Sequence, residues 1–83
     1  MKEYIVKVYK GKTEWYNKEG QLHREDGPAQ IWYHPDGSIR WEHFYTDGEF
    51  LGSNKKGFWV FWRRLTEEQR QAPEILKCLA RFS

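Results

Sequence analysis

The chain has 83 residues, which suffices for one small domain and excludes a second lobe with its own core. Its net charge of +2 is unevenly placed: residues 1–13 carry four bases against one acid, residues 14–49 three against eight, and residues 50–83 seven against three. This is weaker than the basic footprint of a dedicated nucleic-acid-binding domain. Aromatic residues make up 18% of the chain, too many for a thin domain to hide, so some rings are expected to form a contact surface.

The cysteine content and the first ten residues indicate the cellular compartment in which the protein is expected. Cys78 is the single cysteine, which excludes an intramolecular disulfide and a cysteine-based zinc site and fits a reducing cytosol. The first ten residues lack the apolar run of a signal peptide, and no stretch approaches a membrane span. We therefore expect a cytoplasmic protein without a membrane partner, with Cys78 as a small buried helix residue.

The first half of the chain predicts short strands joined by tight turns. Residues 3–9 and 13–17 form the first two strands, 21–23 a short third, and Pro28 makes the following loop a rigid corner. Residues 29–33 and 38–45 then flank the turn His34-Pro35-Asp36-Gly37 as a hairpin. Within 38–45, period-2 alternation separates two faces. We expect the face that carries Ile39, Trp41, His43 and Tyr45 to point to the core.

A short pattern recurs along these strands. An aromatic pair is followed by an acidic residue and glycine three times: Trp15-Tyr16 before Glu19-Gly20, Trp32-Tyr33 before Asp36-Gly37, and Phe44-Tyr45 before Asp47-Gly48. An acidic residue and glycine between β-prone runs is a strong hairpin signal, because glycine takes the positive φ that a primed turn needs. The pattern therefore predicts a repeated hairpin unit.

The segment Leu22-His23-Arg24-Glu25-Asp26-Gly27-Pro28-Ala29, here called the octet, resembles the Leu-His-Arg-x-Asp-Gly-Pro-Ala repeat proteins. These are MORN-like repeats of bacteria and bacteriophages. One full copy is present, and residues 49–53 resemble a degenerate second copy that lacks His and Arg. The resemblance implies a β-hairpin repeat architecture and a phage or bacterial source, and it implies no particular activity.

The last third of the chain predicts one more strand and a helical segment. Residues 57–62 are apolar on both faces, which favours a strand that is covered on both sides. Thr66 to Gln69 form a capping box, residues 67–71 a helical turn and residues 73–82 a helix, with one helix kinked at Pro73 as the alternative. The predicted fold is α+β in one domain, 1–83: a bent antiparallel β-meander of five to seven short strands over 1–62 and a C-terminal helical segment over 66–82.

The sequence offers little support for catalysis or for a metal site. His23, His34 and His43 do not have the spacing that places two ligands on one element. Glu25 and Asp26 lie near His23 in sequence, but a cap for the tight turn and a bond from His23 or Arg24 to a loop carbonyl explain these residues better than a general base. We expect no enzyme, no cofactor and no metal.

Basic pairs bracket the aromatic run near residue 60. The candidate binding residues are Lys55, Lys56, Trp59, Phe61, Trp62, Arg63 and Arg64, to which His23 and Arg24 of the octet are added. Cations for phosphates and rings for bases are what a single-stranded nucleic-acid platform needs, and Trp with Arg also anchors protein interfaces. A core strand with charged gatekeepers at its ends is the structural alternative, and the sequence favours it.

These observations favour a small non-enzymatic binding protein, a phage-encoded inhibitor or adaptor that acts on a host macromolecule, with a host protein as the first partner class. Single-stranded nucleic-acid binding through residues 55–64 is the alternative. A second alternative is an oligomer that sequesters a small nucleotide signal. A homodimer through the aromatic residues of 58–62 or through the C-terminal helix is also predicted, since a two-fold contact is the common way to close such a patch.

Overall fold

The computed structural model describes residues 4–83. One antiparallel sheet holds five strands in chain order: β1 (Ile5–Tyr9), β2 (Lys12–Tyr16), β3 (Gln30–Tyr33), β4 (Ile39–Thr46) and β5 (Glu49–Ser53). Helix α1 (Asn54–Arg64), a short 3₁₀ helix (Gln69–Gln71) and helix α2 (Pro73–Phe82) follow. The α+β class, the meander and the helix that begins at Pro73 are confirmed. The predicted strand start at residue 3 lies outside the described residues, and the predicted strand 21–23 is reduced to a bridge between Tyr16 and Leu22.

The hairpin between β3 and β4 shows how side chains close a turn. Gly37 has a φ of 91°, in the region that favours glycine. Its N–H donates to the His34 carbonyl at 2.9 Å, and the Ser38 N–H donates to the Asp36 carboxylate at 2.9 Å. The tripeptide His34-Pro35-Asp36 therefore lies in a hairpin turn, as predicted.

Helix α1 replaces a strand that the sequence predicts. The strand prediction for residues 57–62 is wrong, because this segment forms the centre of α1. Phe58 and Phe61 are both buried and three residues apart, which is the spacing of one helix face. A run that is apolar at every position fits a buried helix as well as a strand. Arg63 and Arg64 in the last turn also complement the helix dipole.

Two glycines allow α1 to lie close to the sheet. Gly52 in β5 has a φ of 134°, and a Cβ on Gly57 of α1 would overlap the Gly52 carbonyl. Asn54, the first residue of α1, accepts a hydrogen bond on Oδ1 from the Glu42 N–H at 2.9 Å. The helix therefore begins directly after β5 and packs across β4 and β5.

In strand β4, the face that carries Glu42 and Phe44 points toward the helices, although the sequence predicts that it points to solvent. Phe44 is fully buried, and its ring centroid lies 6.0 Å from that of Phe58 and 5.2 Å from that of Phe61. Glu42 is also buried, and its carboxylate pairs with the guanidinium of Arg81 in α2. A pair of this kind offsets part of the cost of burying a carboxylate.

The prediction that Ile39, Trp41, His43 and Tyr45 point to the core is therefore wrong. Ile39 is 44% exposed and Trp41 43% exposed, and the other two side chains are half-buried. For Trp41, His43 and Tyr45 the core lies on the opposite side, between the sheet and the helices, and consists of Phe44, Leu51, Phe58, Phe61, Ile75 and Cys78. Ile39 lies beyond a register shift in the pairing with β3 and borders a cavity on the helical side without joining the core.

The C-terminal segment follows its sequence signals. Thr66 and Gln69 form the predicted capping box: the Thr66 N–H donates to the Gln69 side chain at 2.8 Å, and the Gln69 N–H donates to the Thr66 hydroxyl at 3.1 Å. Ala72 is extended, with a ψ of 137°, and separates the 3₁₀ helix from α2, so the alternative of one kinked helix is wrong. Cys78 is buried in α2, as predicted, and burial raises the pKa of its thiol.

The close approach of Gly52 and Gly57 can be tested by replacing Gly57 with Ala. Because the added methyl group would overlap backbone rather than a flexible side chain, α1 must shift away from the core. We expect a loss of about 2 kcal/mol of unfolding free energy, measured by urea denaturation. Lys56→Ala, exposed on the same helix, is the control and should change stability by less than about 0.5 kcal/mol. Equal stability of the two variants would contradict the close approach.

Candidate binding surface

The sheet has one face that neither helix covers, here called the open face. Strand alternation and pairing register assign its residues, since cross-strand partners share a face. Its aromatic and imidazole side chains are those of Tyr9, Tyr16, Trp32, Trp41, His43, Tyr45 and Phe50. Its remaining strand residues include Ile5, Lys7, Lys12, Glu14, Gln30 and Ser53.

The rings on β4 and β5 form a continuous row. Trp41 and His43 are stacked, with centroids 6.4 Å apart and planes 13° apart. His43 lies 5.8 Å from Phe50, which in turn lies 5.2 Å from Tyr45. Trp41 is 43% exposed and Phe50 52% exposed, so these two rings of the row are accessible to a partner. Rigid strands thus display flat apolar surfaces side by side.

His43 is held in this row as a neutral ring. Burial lowers its pKa, so the imidazole carries no charge at neutral pH. Its Nδ1 lies 2.6 Å from the Ser53 hydroxyl oxygen, and this hydrogen bond fixes the orientation of the ring. The imidazole therefore adds a flat ring to the row rather than a cation.

Two lysines lie over rings at the other end of the open face. The Lys12 ammonium lies 4.9 Å from the Tyr9 ring centroid and 4.8 Å from that of Trp32. The Lys7 ammonium lies 4.9 Å from the Tyr16 ring centroid. Cation–π contacts of this kind orient both a charge and a ring.

Glu14 lies among these groups and is bonded on every side. Tyr16 donates its hydroxyl to one carboxylate oxygen, the Gln30 amide donates to the other, and the Lys12 ammonium lies 3.4 Å away. Burial alone would raise the pKa of Glu14, but the hydrogen bonds and the Lys12 charge outweigh it and lower the pKa. The hydrogen bond to Glu14 in turn raises the pKa of Tyr16 to about 12. Glu14 is therefore an ionised carboxylate whose two oxygens are both bonded to neighbouring side chains of the sheet.

A shallow cavity of about 480 Å³ opens where β3, β4 and β5 meet. It is lined by Trp32, Tyr33, Arg40, Trp41, His43 and Ser53. Its volume lies within the range of small-molecule sites, about 300 to 1,000 Å³. It brings two indoles together with one exposed guanidinium.

The candidate residues that the sequence singles out lie elsewhere, on α1 and in the octet. Lys55 and Lys56 are exposed in the first turn of α1, and Arg63 and Arg64 are exposed in its last turn. Phe61 is 2% exposed and belongs to the core. Arg64 makes a two-bond pair with Glu49, at 3.0 and 3.1 Å. The basic pairs thus lie at opposite ends of a helix rather than along one strand.

The two tryptophans of α1 pack against its buried side. Trp59 and Trp62 are half-buried and contact Phe58, with ring centroids 5.1 and 5.8 Å away. The Arg70 guanidinium lies 4.9 Å from the Trp62 ring centroid. The aromatic surface that residues 58–62 offer to a nucleic acid or to a second copy of the chain is therefore limited to the exposed parts of the Trp59 and Trp62 rings.

The octet forms a corner whose polar groups bond to one another. The Arg24 guanidinium stacks over Trp15 at 4.0 Å from the ring centroid, donates to Asp26 at 2.9 Å and donates to the Pro28 carbonyl at 3.2 Å. His23 accepts a hydrogen bond on Nδ1 from the Asp47 N–H at 2.9 Å. These bonds join the corner to β2 and to the β4–β5 turn. The loop-carbonyl bond predicted for His23 or Arg24 is thus made by Arg24.

The structure brings part of the predicted set together. His23, Arg24, Phe61 and Arg64 line one cavity of about 240 Å³ between the octet and α1. Lys55 lies apart from them, beside Arg40. The open-face residues Trp32, Trp41 and Phe50 are absent from the predicted set, and of these three Trp32 alone belongs to an aromatic pair that precedes a turn.

The structural role of Arg24 predicts that Arg24→Lys is not a conservative change. Lysine keeps the charge but lacks the planar fork that stacks on Trp15 and bonds to two acceptors. We expect a loss of about 1 to 2 kcal/mol of unfolding free energy, measured by urea denaturation. Arg63→Lys, exposed on α1, should be neutral. If Arg24→Lys were equally neutral, the fork would not stabilise the corner.

The carboxylate network predicts a pH-dependent effect of Tyr16→Phe. The lowered pKa of Glu14 contributes stability above the unfolded value of about 4.3, and that contribution is lost as the pH falls through the folded value. Without the tyrosine hydroxyl, the pKa of Glu14 should rise and the protein should lose about 1 kcal/mol at neutral pH.

This loss should shrink as the pH falls through the lowered folded pKa of Glu14, below which the carboxyl group is protonated in both states. Urea denaturation across pH and a carboxyl NMR titration of Glu14 measure both effects. The control is Tyr33→Phe, whose hydroxyl bonds to Thr13 and not to a carboxylate, so its loss should be independent of pH. A loss independent of pH in Tyr16→Phe would contradict the network.

Within residues 4–83, histidine, cysteine and acidic side chains nowhere gather in threes as metal ligands would. None of the helices in this range is long and apolar enough to cross a membrane. No family model, curated protein or solved structure matches the chain.

Proposed function

We propose that the chain is a small non-enzymatic binding protein whose open face contacts a macromolecular partner. The observation that carries this proposal is the division of the sheet: both helices pack on one face, and the other face displays a row of rings. Trp41 and Phe50 are 43% and 52% exposed, although burying either would stabilise the fold. A contiguous exposed aromatic surface on a small domain marks an interaction site.

The polar side chains with the chemistry for catalysis support the same proposal. His23 accepts the bond from the Asp47 N–H, Asp26 pairs with Arg24, and Asp36 closes its own turn. Glu14 is likewise saturated by its neighbours. The hydrogen bonds and ion pairs of these groups lie within the fold, which supports a binding function over catalysis.

The octet supports the biological setting of the proposal. Its resemblance to MORN-like repeats of bacteria and bacteriophages favours a phage-encoded inhibitor or adaptor that acts on a host macromolecule, including the inhibition of host defence, in the bacterial cytosol. The sequence predicts a host protein or a single-stranded nucleic acid as the partner. Both would use exposed rings, and they differ in the charge they require of the surface.

A second candidate is sequestration of a small nucleotide signal by an oligomer. The cavity of about 480 Å³ favours it, because Trp32, Trp41 and Arg40 together offer ring surfaces and a cation. This candidate requires an assembly larger than a monomer and a thermal shift on adding the nucleotide. The predicted homodimer belongs to the same test, and light scattering after size exclusion measures its mass.

The binding function is tested by capture with matched variants. The tagged wild type and a Trp41→Ala/Phe50→Ala double variant are exposed to bacterial lysate, and bound protein and nucleic acid are both analysed. We expect a stoichiometric partner on the wild type that the double variant loses. Leu76→Ala is the control, since Leu76 is also 43% exposed but lies on α2.

Thermal unfolding and near-ultraviolet circular dichroism should show that the three proteins are equally folded. Retention of the partner by the double variant would place the contact elsewhere than on the open face. Turnover of a small molecule by the wild type would contradict a purely binding function.

A further inference from the structure

We infer that the occupant of the open face is a single-stranded nucleic acid, an inference that rests on the proposed function of that face. The first observation is the charge of the surface. Lys7 and Lys12 lie on the open face, whereas Glu14 is the one carboxylate among its described strand residues. That carboxylate is 5% exposed and pairs with Lys12 at 3.4 Å, so the charges of these two residues offset each other. The charge of Lys7 is therefore the positive excess among the described strand residues of this face.

The acids of β4 and β5 lie on the helical face instead. Glu42 pairs with Arg81 of α2, and Glu49 pairs with Arg64 of α1. The remaining described acids near the sheet lie in the turns and the octet, where Asp26 pairs with Arg24. Although residues 14–49 carry eight acids, seven of them therefore lie on the helical face, in turns or in the octet.

Further cations continue from this surface toward α1. Arg40 is exposed and lines the 480 Å³ cavity together with Trp32 and Trp41. It also lines a neighbouring cavity of about 370 Å³ that contains Lys55. Arg40 thus lines both cavities, one with the rings of Trp32 and Trp41 and the other with Lys55 of α1, and a phosphate backbone needs cations of this kind beside the stacking rings.

The rings supply the second half of the recognition. A single-stranded platform stacks bases on aromatic side chains, at about 1 to 3 kcal/mol per base. Trp41 and Phe50 are exposed at positions where a base can stack, and His43 between them is a neutral ring. Four-stranded RNA-binding sheets combine exposed rings with cations in the same way.

A protein partner fits this surface less well. The centres of protein interfaces are depleted in lysine, because its hydrated ammonium must be stripped of water. Here Lys7 on the edge strand β1 and Lys12 on the neighbouring β2 both hold their ammonium groups over rings. A single strand keeps its phosphates and these ammonium groups in water while its bases cover the rings, so it fits both features at once.

The test is fluorescence anisotropy with labelled 15-nucleotide single strands of DNA and RNA in low salt. We expect the wild type to bind a single strand more tightly than a duplex of the same length. Trp41→Ala and, separately, Phe50→Ala should each weaken binding by about 5- to 100-fold. Arg40→Gln should reduce the slope of log K against log salt by about 0.7 for each phosphate that the protein no longer neutralises.

Two controls match these variants in exposure and charge. Leu76→Ala removes an exposed apolar side chain from α2, and Lys77→Gln removes an exposed cation from the same helix. Neither should change the affinity. If Lys77→Gln weakened binding as much as Arg40→Gln, the attraction would be general and the open face would not be the site.

Three further results would overturn the inference. They are no binding of the wild type to either strand at low salt, full affinity in both ring variants, and competition by a mononucleotide as effective as by the 15-mer. If nucleic acid failed to bind but Trp41→Ala/Phe50→Ala still lost a captured protein, the inference would be wrong and the binding function of the open face would stand. If that double variant also kept its captured partner, both would be wrong.

Discussion

The packing of Phe44 against Phe58 and Phe61 is the interaction on which the rest of the structure depends. It fixes α1 against β4 with ring centroids 6.0 and 5.2 Å apart. Side chains of a strand alternate between its two faces, so when Phe44 points toward the helices Glu42 does too. The rings of Trp41, His43 and Tyr45 then point to the open face. The inward carboxylate would cost several kcal/mol if it were left alone. Arg81, 39 positions later in the sequence, neutralises it from α2, so the helices and the sheet depend on each other.

This long-range pair explains where sequence reasoning failed. The turns, the capping box and the helix at Pro73 were predicted, because each depends on residues within a few positions. The face of β4 was not, because local alternation places Glu42 in solvent unless Arg81 is known to reach it. The wrong strand prediction for residues 57–62 has a related cause. A run that is apolar at every position fits a strand and a buried helix equally well, and only the surface that it packs against, which includes Phe44, decides between them.

The candidate site was predicted less well than the fold, for the same reason. The aromatic excess indicated that some rings would form a contact surface, and the open face displays such rings. The residues proposed for it lie on α1 and in the octet, because a strand at 57–62 would have combined rings with cations. Since that segment is a helix, its phenylalanines pack into the core and its cations lie at its two ends.

The division of the rings also makes the open face rigid. Phe44, Phe58, Phe61 and Phe82 form one interlocked group on the helical side, with centroids within 6.2 Å of a neighbour. The rings on the other side stand on the same strands, so they have a fixed backbone without being covered. Their neighbours orient them further, through the His43–Ser53 bond and the lysines over Trp32 and Tyr16. A surface that is ordered before its partner arrives loses little side-chain entropy on binding, and this order supports the proposed binding function of the open face.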